Sequence, residues 1–500
     1  MGIEREVKLG AGEGFALPDL NGLDQGVAAA PLPDRTLDAV YYDTSDLRLA
    51  RWGVTLRHRV GDVEGDGWTV KLPEDSAGPA LSRREITFDS DPAQPPPAAV
   101  DLVRAFARRA EIGPVARMRT IRSVVELRDV RGRPTAEVVD DDVSVLDGSQ
   151  PTARFREIEV ELTERVSAAL LEAVLGRLGK AGAGEPQKTP KLMRVLGDRA
   201  LGPPDVALAD VDDHATMGDV VRLALASSVR RILLHDPGMR LGDDSEHVHQ
   251  ARVGTRRLRS DLRTLRPVLV DDWVDPLREE LRWLGHALGM VRDADVLSDR
   301  LRDQARSLPE VDAPAVELLL GQLADQRAEA VAGLRAVMAG DRYVELLDRL
   351  VTAAQHPHLR PEADERAADV LPRLAAGSWR RLRKAIDELV PEPSAQDLHA
   401  VRIAAKRTRY AAEAAAPVIA KRAKALAGAV ADLQTVLGDH QDAVVAEAWL
   451  RGAVVDAGTA EPLAAGQLIA MQRADQARCR AEWPGVWKRA KKKKLRSWLA

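Results

Sequence analysis

The spacing of apolar residues changes once along this chain, near residue 212, and no single packed layer accommodates both patterns. Before that point the ordered stretches are short and alternate. "IEREVKL" (3–9), "LDAVYYDT" (37–44), "VTLRHRV" (54–60), "WTVKL" (68–72), "REITFD" (84–89), "IRSVVELRD" (121–129), "TAEVVDDDVSVL" (135–146) and "FREIEVELT" (155–163) read as strands. "DVEGDGW" and "DVRGRPT" read as hairpin turns. "DPAQPPPAAV" reads as a loop, because consecutive prolines cannot donate to a ladder. The pattern predicts a helix over 100–112 and another capped by Thr163.

After residue 212 long Ala/Leu/Arg segments at helical period take over, such as "MGDVVRLALASSVRRILLH". The expected chain is therefore multidomain, α+β followed by all-α. Residues 1–200 form the first domain, 201–214 a linker marked by Gly and Pro-Pro, and 215–500 the helical domain.

The chain carries 73 basic and 77 acidic residues, so net charge names no polyanion partner and only local clustering can. The single cysteine, Cys479, excludes an intrachain disulfide and a multi-cysteine metal site, and fits a reducing cytoplasm. No apolar run is long enough to span a bilayer, so a membrane partner is not expected.

Charge in the strands is ordered. Alternate strand residues share a face. Glu4, Glu6 and Lys8 therefore lie together, as do Arg57 with Arg59, Thr69 with Lys71, Arg83 with Glu85, Glu137 with Asp141, and Glu157 with Glu159 and Glu161. For any one strand a solvated face is the better reading. The set is harder to explain that way, because Glu-rich strands begin and nearly end the domain and basic pairs lie between. If the sheet closes, one alternating set lines the interior, and buried charges must be paired or bind something. Carboxylates suit Mg²⁺ or Mn²⁺; Arg and Lys suit phosphate oxygens.

"EREVK" resembles the ExExK signature of the CYTH family, the triphosphate tunnel metalloenzymes. "YYDTSDLRLARWGVTLRHR", "GWTVKLP" and "REIEVEL" also look like that family, over roughly residues 1–200. The resemblance implies an eight-stranded antiparallel tunnel that binds triphosphate-containing substrates. It implies catalytic roles for Glu4, Glu6 and Lys8. Metal ligands would come from Glu4, Glu6, Asp141, Glu157, Glu159 and Glu161, and phosphate ligands from Arg57, Arg59, Lys71, Arg83, Arg119, Arg122 and Lys191. A bulge in this strand would mean that Arg119 and Arg122 need not share a face.

The helical half contains a repeat. "HQARVGTRRLRS" begins at His249 and "HAVRIAAKRTRY" at His399, 150 residues later. His249, Arg252, Arg256 and Arg259 fall within a stripe of roughly 80° on a helix, as do His399, Arg402, Lys406 and Arg409. Arg257 and Arg407 sit off to the side. "LGMVRDADVL" (288–297) and "LGDHQDAVVA" (437–446) echo each other downstream. Two copies, about 215–350 and 365–500, suggest a pseudo-twofold pair of bundles. A cationic stripe repels itself unless offset. Asp293, Asp295 and Asp442 could offset part of it; otherwise the counter-charge is a polyanion.

This half resembles the CHAD domain, a helical module named for its histidines, over about residues 212–500. The resemblance implies binding of inorganic polyphosphate by His249, Arg252, Arg256, Arg257, Arg259, Arg263, His399, Arg402, Lys406, Arg407 and Arg409. Glu413 stands where the first copy has Arg263, so the second copy is less basic. The leading expectation is a divalent-metal-dependent hydrolase of inorganic triphosphate or short polyphosphate, cytoplasmic and associated with polyphosphate granules. The alternatives are a non-catalytic polyphosphate-binding protein, or a nucleotide or thiamine triphosphatase or adenylyl cyclase. Few aromatics interleave with the arginines, which disfavours nucleic acid.

Overall fold

The computed structural model describes residues 2–23, 26–62, 65–74, 80–91, 93–163, 166–454 and 460–499, without the side chains of residues 2–4 and 460. The chain divides into two compact units, Met1–Asp205 and Val206–Ala500.

In the first unit eight antiparallel strands close on themselves. They are β1 (Gly2–Ala11), β2 (Arg35–Asp43), β3 (Thr55–Val60), β4 (Gly67–Glu74), β5 (Leu81–Phe88), β6 (Gly113–Arg128), β7 (Pro134–Asp147) and β8 (Gln150–Leu162). The order is β1-β5-β4-β3-β2-β6-β7-β8, and β1 pairs back onto β8. Each expected strand is present, and short strands Ala28–Pro31 and Pro186–Gln187 are added at the edges of β6 and β1. Closure is possible because β1 serves two neighbours, β5 with residues 2–6 and β8 with residues 6–11.

The alternation then sorts the side chains. Val7, Leu9, Val138, Ile158 and Val160 point outward and pack with Leu170, Val174 and Leu178 of helix α1 (Ala168–Lys180). Glu6, Lys8, Asp141, Glu157 and Glu159 are buried on the opposite face. Three local expectations change. Ser167, not Thr163, caps α1, because the Thr163 hydroxyl donates to Thr135 O instead. The helix over 100–112 is two short turns, Pro97–Leu102 and Arg104–Ala107, and the first starts inside the proline loop, where Pro suits a first helical position. The tip of the "DVEGDGW" turn, Val63 and Glu64, lies outside the described residues.

The second unit is helical: α3 (Met217–Leu241), α4 (Ser245–Thr264), α5 (Asp271–Ala305), α6 (Ala313–Ala339), α7 (Asp341–Gln355), α8 (Ala367–Asp387), α9 (Ala395–Ile419), α10 (Lys421–Ala453) and α11 (Ala460–Ala490), following the short α2 (Lys191–Leu196) of the first unit. Thr216 with Asp219 and Ser394 with Asp397 make capping boxes on α3 and α9. The repeat is structural. Helices α3–α6 and α8–α11 follow the same neighbour-to-neighbour course, and α3 meets α8, α4 meets α9, α5 meets α10 and α6 meets α11. Leu297, Leu301, Leu319 and Leu323 pack with Ala446, Leu450 and Leu468 across that pseudo-twofold. No helix among the described residues is long and apolar enough to cross a membrane.

Gly61 ends β3 at φ +89°, and a Cβ there would lie 2.2 Å from Thr36 O. Gly61→Ala should therefore cost the first unit at least about 1–3 kcal/mol, seen as a lower midpoint in thermal unfolding followed by circular dichroism.

Candidate functional site

Register decides which charges meet inside the barrel. Lys8 lies opposite Glu159, Asp141 lies between Arg122 and Glu157, Lys71 opposite Glu85, and Tyr41 opposite Arg57. Residues opposite each other on antiparallel strands have neighbouring side chains. The interior is a cavity of about 660 Å³ lined by Glu6, Lys8, Arg57, Arg59, Lys71, Arg83, Glu85, Arg122, Glu159, Glu161 and Lys191, with Tyr41, Arg35 and Asp62.

One wall is acidic and already neutralised. The Lys8 ammonium is 3.1 Å from Glu6 and 3.4 Å from Glu157, and donates to Glu159. Arg83 donates to Glu6. Arg122 makes a two-pronged bond to Asp141, at 2.8 and 2.7 Å, and reaches Glu159 at 3.1 Å and Glu161 at 3.7 Å. Lys191, at the start of α2, donates to Asp141 and lies 3.6 Å from both Glu157 and Glu159. Arg194 on the same helix is 3.2 Å from Glu157.

The electrostatics follow. Burial disfavours the charge of Lys8, but Glu159, Glu6 and Glu157 outweigh it and hold its pKa above the ordinary value. Burial likewise opposes Glu159, yet Lys191, Lys8 and Arg122 keep it well below the usual carboxylate range. Glu157, deep in the wall, is pushed up by burial. The opposite wall is cationic. Burial and then the neighbouring Arg57 lower the pKa of Arg59, and Lys71 is 3.1 Å from Glu85.

The structure thus brings Glu6, Lys8, Arg57, Arg59, Lys71, Arg83, Asp141, Glu157, Glu159, Glu161, Arg122 and Lys191 together. Glu4 sits opposite Arg83 in β1, and its side chain lies outside the described residues. Arg119 is the correction. Pairing of β6 with β2 and β7 is unbroken between Arg119 and Arg122, so an offset of three places them on opposite faces. Arg119 is 55% exposed and bonded to Asp38 outside the tunnel. Sequence reasoning places Glu85 on the charged face without giving it a role, and misses Tyr41, Asp62, Arg35 and Arg194. Tyr41 and Arg35 share the strand face that alternation from Arg57 and Arg122 selects, and that signal could have found them.

Among the described residues no three His, Cys, Asp or Glu side chains are disposed as a metal site. Each carboxylate is drawn onto a cation instead. The donor set still fits a hard divalent ion, because Glu6, Glu157 and Glu159 supply only oxygens and already converge on one compact cation, the Lys8 ammonium.

The second site is the meeting of α4 and α9. Burial, then the cations Arg256, Arg402, Arg252 and Arg259, press Lys406 down to a pKa of about 7. The Nε atoms of Arg256, Arg259 and Arg402 are buried without a partner. His249 is likewise lowered by burial and by Arg292. His399 meets Gln441 at 2.9 Å. Asp293 bonds Arg252 at 2.9 Å, but Asp295 serves Arg327 instead of the stripe. Two expected members are otherwise engaged. Arg257 is held by Asp261 and Glu413, and Arg409 by Glu413 at 2.7 Å, because an i,i+4 carboxylate lies within reach of each. Arg263 and Arg407 line a different cavity.

A charged tunnel inside a closed barrel, followed by a duplicated helical bundle with a cationic seam, defines a two-module class of protein. Residues 2–192 match the family model of the CYTH domain and residues 223–451 that of the CHAD domain. The chain belongs to the family in which a CYTH domain is followed by a CHAD domain. It is 32% identical over 515 aligned positions to the uncharacterized protein MT2285 of Mycobacterium tuberculosis (strain CDC 1551 / Oshkosh), covering 96% of this chain and 94% of that one. The CHAD domain structure from the plant Ricinus communis is 27% identical, covers 56% of this chain and 95% of its own, and has a TM-score of 0.46. A Hippeastrum structure, described as a putative adenylyl cyclase with dominant triphosphatase activity, is 20% identical, covers 38% of this chain and 93% of its own, and has a TM-score of 0.25. The CYTH family includes triphosphatases and cyclases and uses divalent metals.

Lys406 should titrate near pH 7 when followed by its side-chain ¹³C resonance, and Arg402→Gln, by removing a like charge, should raise that midpoint.

Proposed function

We propose that the tunnel hydrolyses inorganic triphosphate or short polyphosphate with Mg²⁺ or Mn²⁺, and that the helical unit binds inorganic polyphosphate. The observation that carries the first part is the split interior: a buried carboxylate wall faces Arg57, Arg59 and Lys71 across one cavity of about 660 Å³. A compact, highly charged phosphate chain satisfies both walls at once. Among the described lining residues Tyr41 is the aromatic one, and Arg57 hydrogen-bonds it, which leaves little platform for a nucleobase.

In this reading Glu6, Glu157 and Glu159, with Glu4 from the same strand face, would hold the metal. The metal when bound supplies charge neutralisation and a more acidic attacking water. Arg57, Arg59 and Lys71 hold the phosphate oxygens and fix the chain in line. Lys8 helps keep Glu159 ionised, and Arg83 and Lys8 hold Glu6 in place. Burial excludes bulk water, so these fixed charges act at full strength when the phosphoanhydride bond breaks.

Phosphate release from tripolyphosphate tests this. EDTA should abolish it, Glu159→Gln should lower kcat by roughly 10²–10³-fold, and Lys71→Gln should raise KM. A second reading, a non-catalytic phosphate grip, is favoured by the pairing of every described wall carboxylate with a cation. Phosphate binding without turnover in any divalent metal would select it.

In the helical unit, His249, Arg252, Arg256, Arg259, His399, Arg402 and Lys406 would track a polyphosphate chain, which would place the protein in the cytoplasm at polyphosphate granules. Reversing charge at Arg256 and Arg402 should weaken polyphosphate binding at least about tenfold and flatten its salt dependence. A bound polyanion raises the pKa of Lys406. Below pH 7 the free amine is already charged and affinity should be level. Above pH 7 binding must take up a proton, so affinity should fall by up to about tenfold per pH unit. Titration of labelled polyphosphate at several pH values reads this slope.

A further inference from the structure

The two repeats place equivalent residues 150 positions apart, so each corner of the helical unit has a twofold mate. One corner joins Arg257 of α4 to Glu413 of α9, with Ser228 and Arg231 of α3 at the positions equivalent to Ser378 and Arg381. Its mate joins Ser378 and Arg381 of α8 to Arg407 of α9 and Arg263 of α4.

The first corner is filled from within. Arg257 donates to Asp261 at 2.8 Å and to Glu413. The guanidinium lies over the Tyr410 ring, 5.3 Å from its centroid. Arg231 donates to Gln250 at 2.8 Å. The second corner has lost each of these fillers. Ala411 stands for Asp261, Arg263 for Glu413, and Ser260 for Tyr410. Two carboxylates and an aromatic ring are gone, and a cavity of about 630 Å³ opens there.

Its charge is uncompensated. Among the described residues Arg263 and Arg407 make no ion pair or hydrogen bond, and Arg381 reaches only Ser378 Oγ, at 3.4 Å. The other rim arginines are spoken for: Arg266 and Arg360 by Asp271, and Arg373 by Glu365. The carboxylate that lines the cavity, Asp271, is taken by Arg266 and Arg360, so the three remaining guanidiniums repel one another unless an anion enters.

We infer that the corner bounded by Arg263, Arg381 and Arg407 is a second anion site, separate from the polyphosphate seam, that takes a diphosphate group. The filled corner shows the shape of the occupant. There one guanidinium spans two adjacent carboxylates, and two linked phosphoryl groups supply the same pair of anions in one molecule. The space vacated by the Tyr410 ring leaves room for a nucleobase, so the diphosphate can be inorganic pyrophosphate or that of a nucleoside diphosphate. The inference does not rest on the reading of the seam or of the tunnel.

Calorimetric titration of the full chain in EDTA, with pyrophosphate and with ADP, tests it. R263E recreates the Glu413–Arg257 pairing already present across the twofold, so it should fold with an unchanged melting temperature. It should remove one pyrophosphate site per chain, and Arg407→Gln should weaken that site at least about tenfold. Arg256→Gln in the seam and Lys71→Gln in the tunnel should leave it intact, which separates this site from both others. ADP that competes for the same site identifies the nucleotide as a source; pyrophosphate binding without ADP competition identifies the inorganic one. Unchanged stoichiometry in R263E, or no pyrophosphate site beyond those removed by the seam and tunnel variants, overturns the assignment.

Discussion

Burying Glu6, Lys8, Glu157 and Glu159 inside a closed barrel requires that each carboxylate meet a cation, and the pairing of β1 with β8 is what supplies the first of them. An isolated buried carboxylate neutralises itself or destabilises the fold. Lys8 stands opposite Glu159 only in this register, so barrel closure and wall electrostatics are one constraint. A one-residue slip would turn Val7 inward and put Lys8 against α1. The apolar face enforces the same register from outside, because Val7, Ile158 and Val160 pack together with Leu170, Val174 and Leu178 of α1.

The helical unit solves the opposite problem. It gathers cations with few carboxylates and leaves part of the set unanswered. Lys406 is buried among four arginines, and burial, then that crowding, depresses its pKa. Elsewhere the fold answers its own charge: Arg257 and Arg409 are both held by Glu413, which is thereby a structural partner and not a simple loss of basic charge. Duplication followed by divergence at a few positions has produced one sealed and one open corner from the same backbone.

Much of this is legible in the chain. Strict alternation in β1, β3 and β8 identifies the inward charges, because a period of two leaves no freedom once one face is apolar. The offsets of the His-Arg stripe identify the cationic faces of α4 and α9, and their meeting in one seam is a result of packing. Distance along a strand is where the sequence misleads. Arg119 and Arg122 differ by an odd number, and without a bulge they part company, one to solvent and one to Asp141. Tyr41 escapes notice because an aromatic in a strand reads as core, whereas its partner across the ladder is Arg57.

The sequence by itself determined the two periods, the faces that carry charge, and the 150-residue duplication, since these depend only on local spacing. Tertiary structure alone decided which charges neutralise one another. Arg257 meets Glu413 from another helix, Lys191 meets Asp141 from beyond the barrel, and Arg407 meets no carboxylate among the described residues. Coulomb energy depends on separation in space, and spacing along the chain does not report it until the strands close and the helices pack.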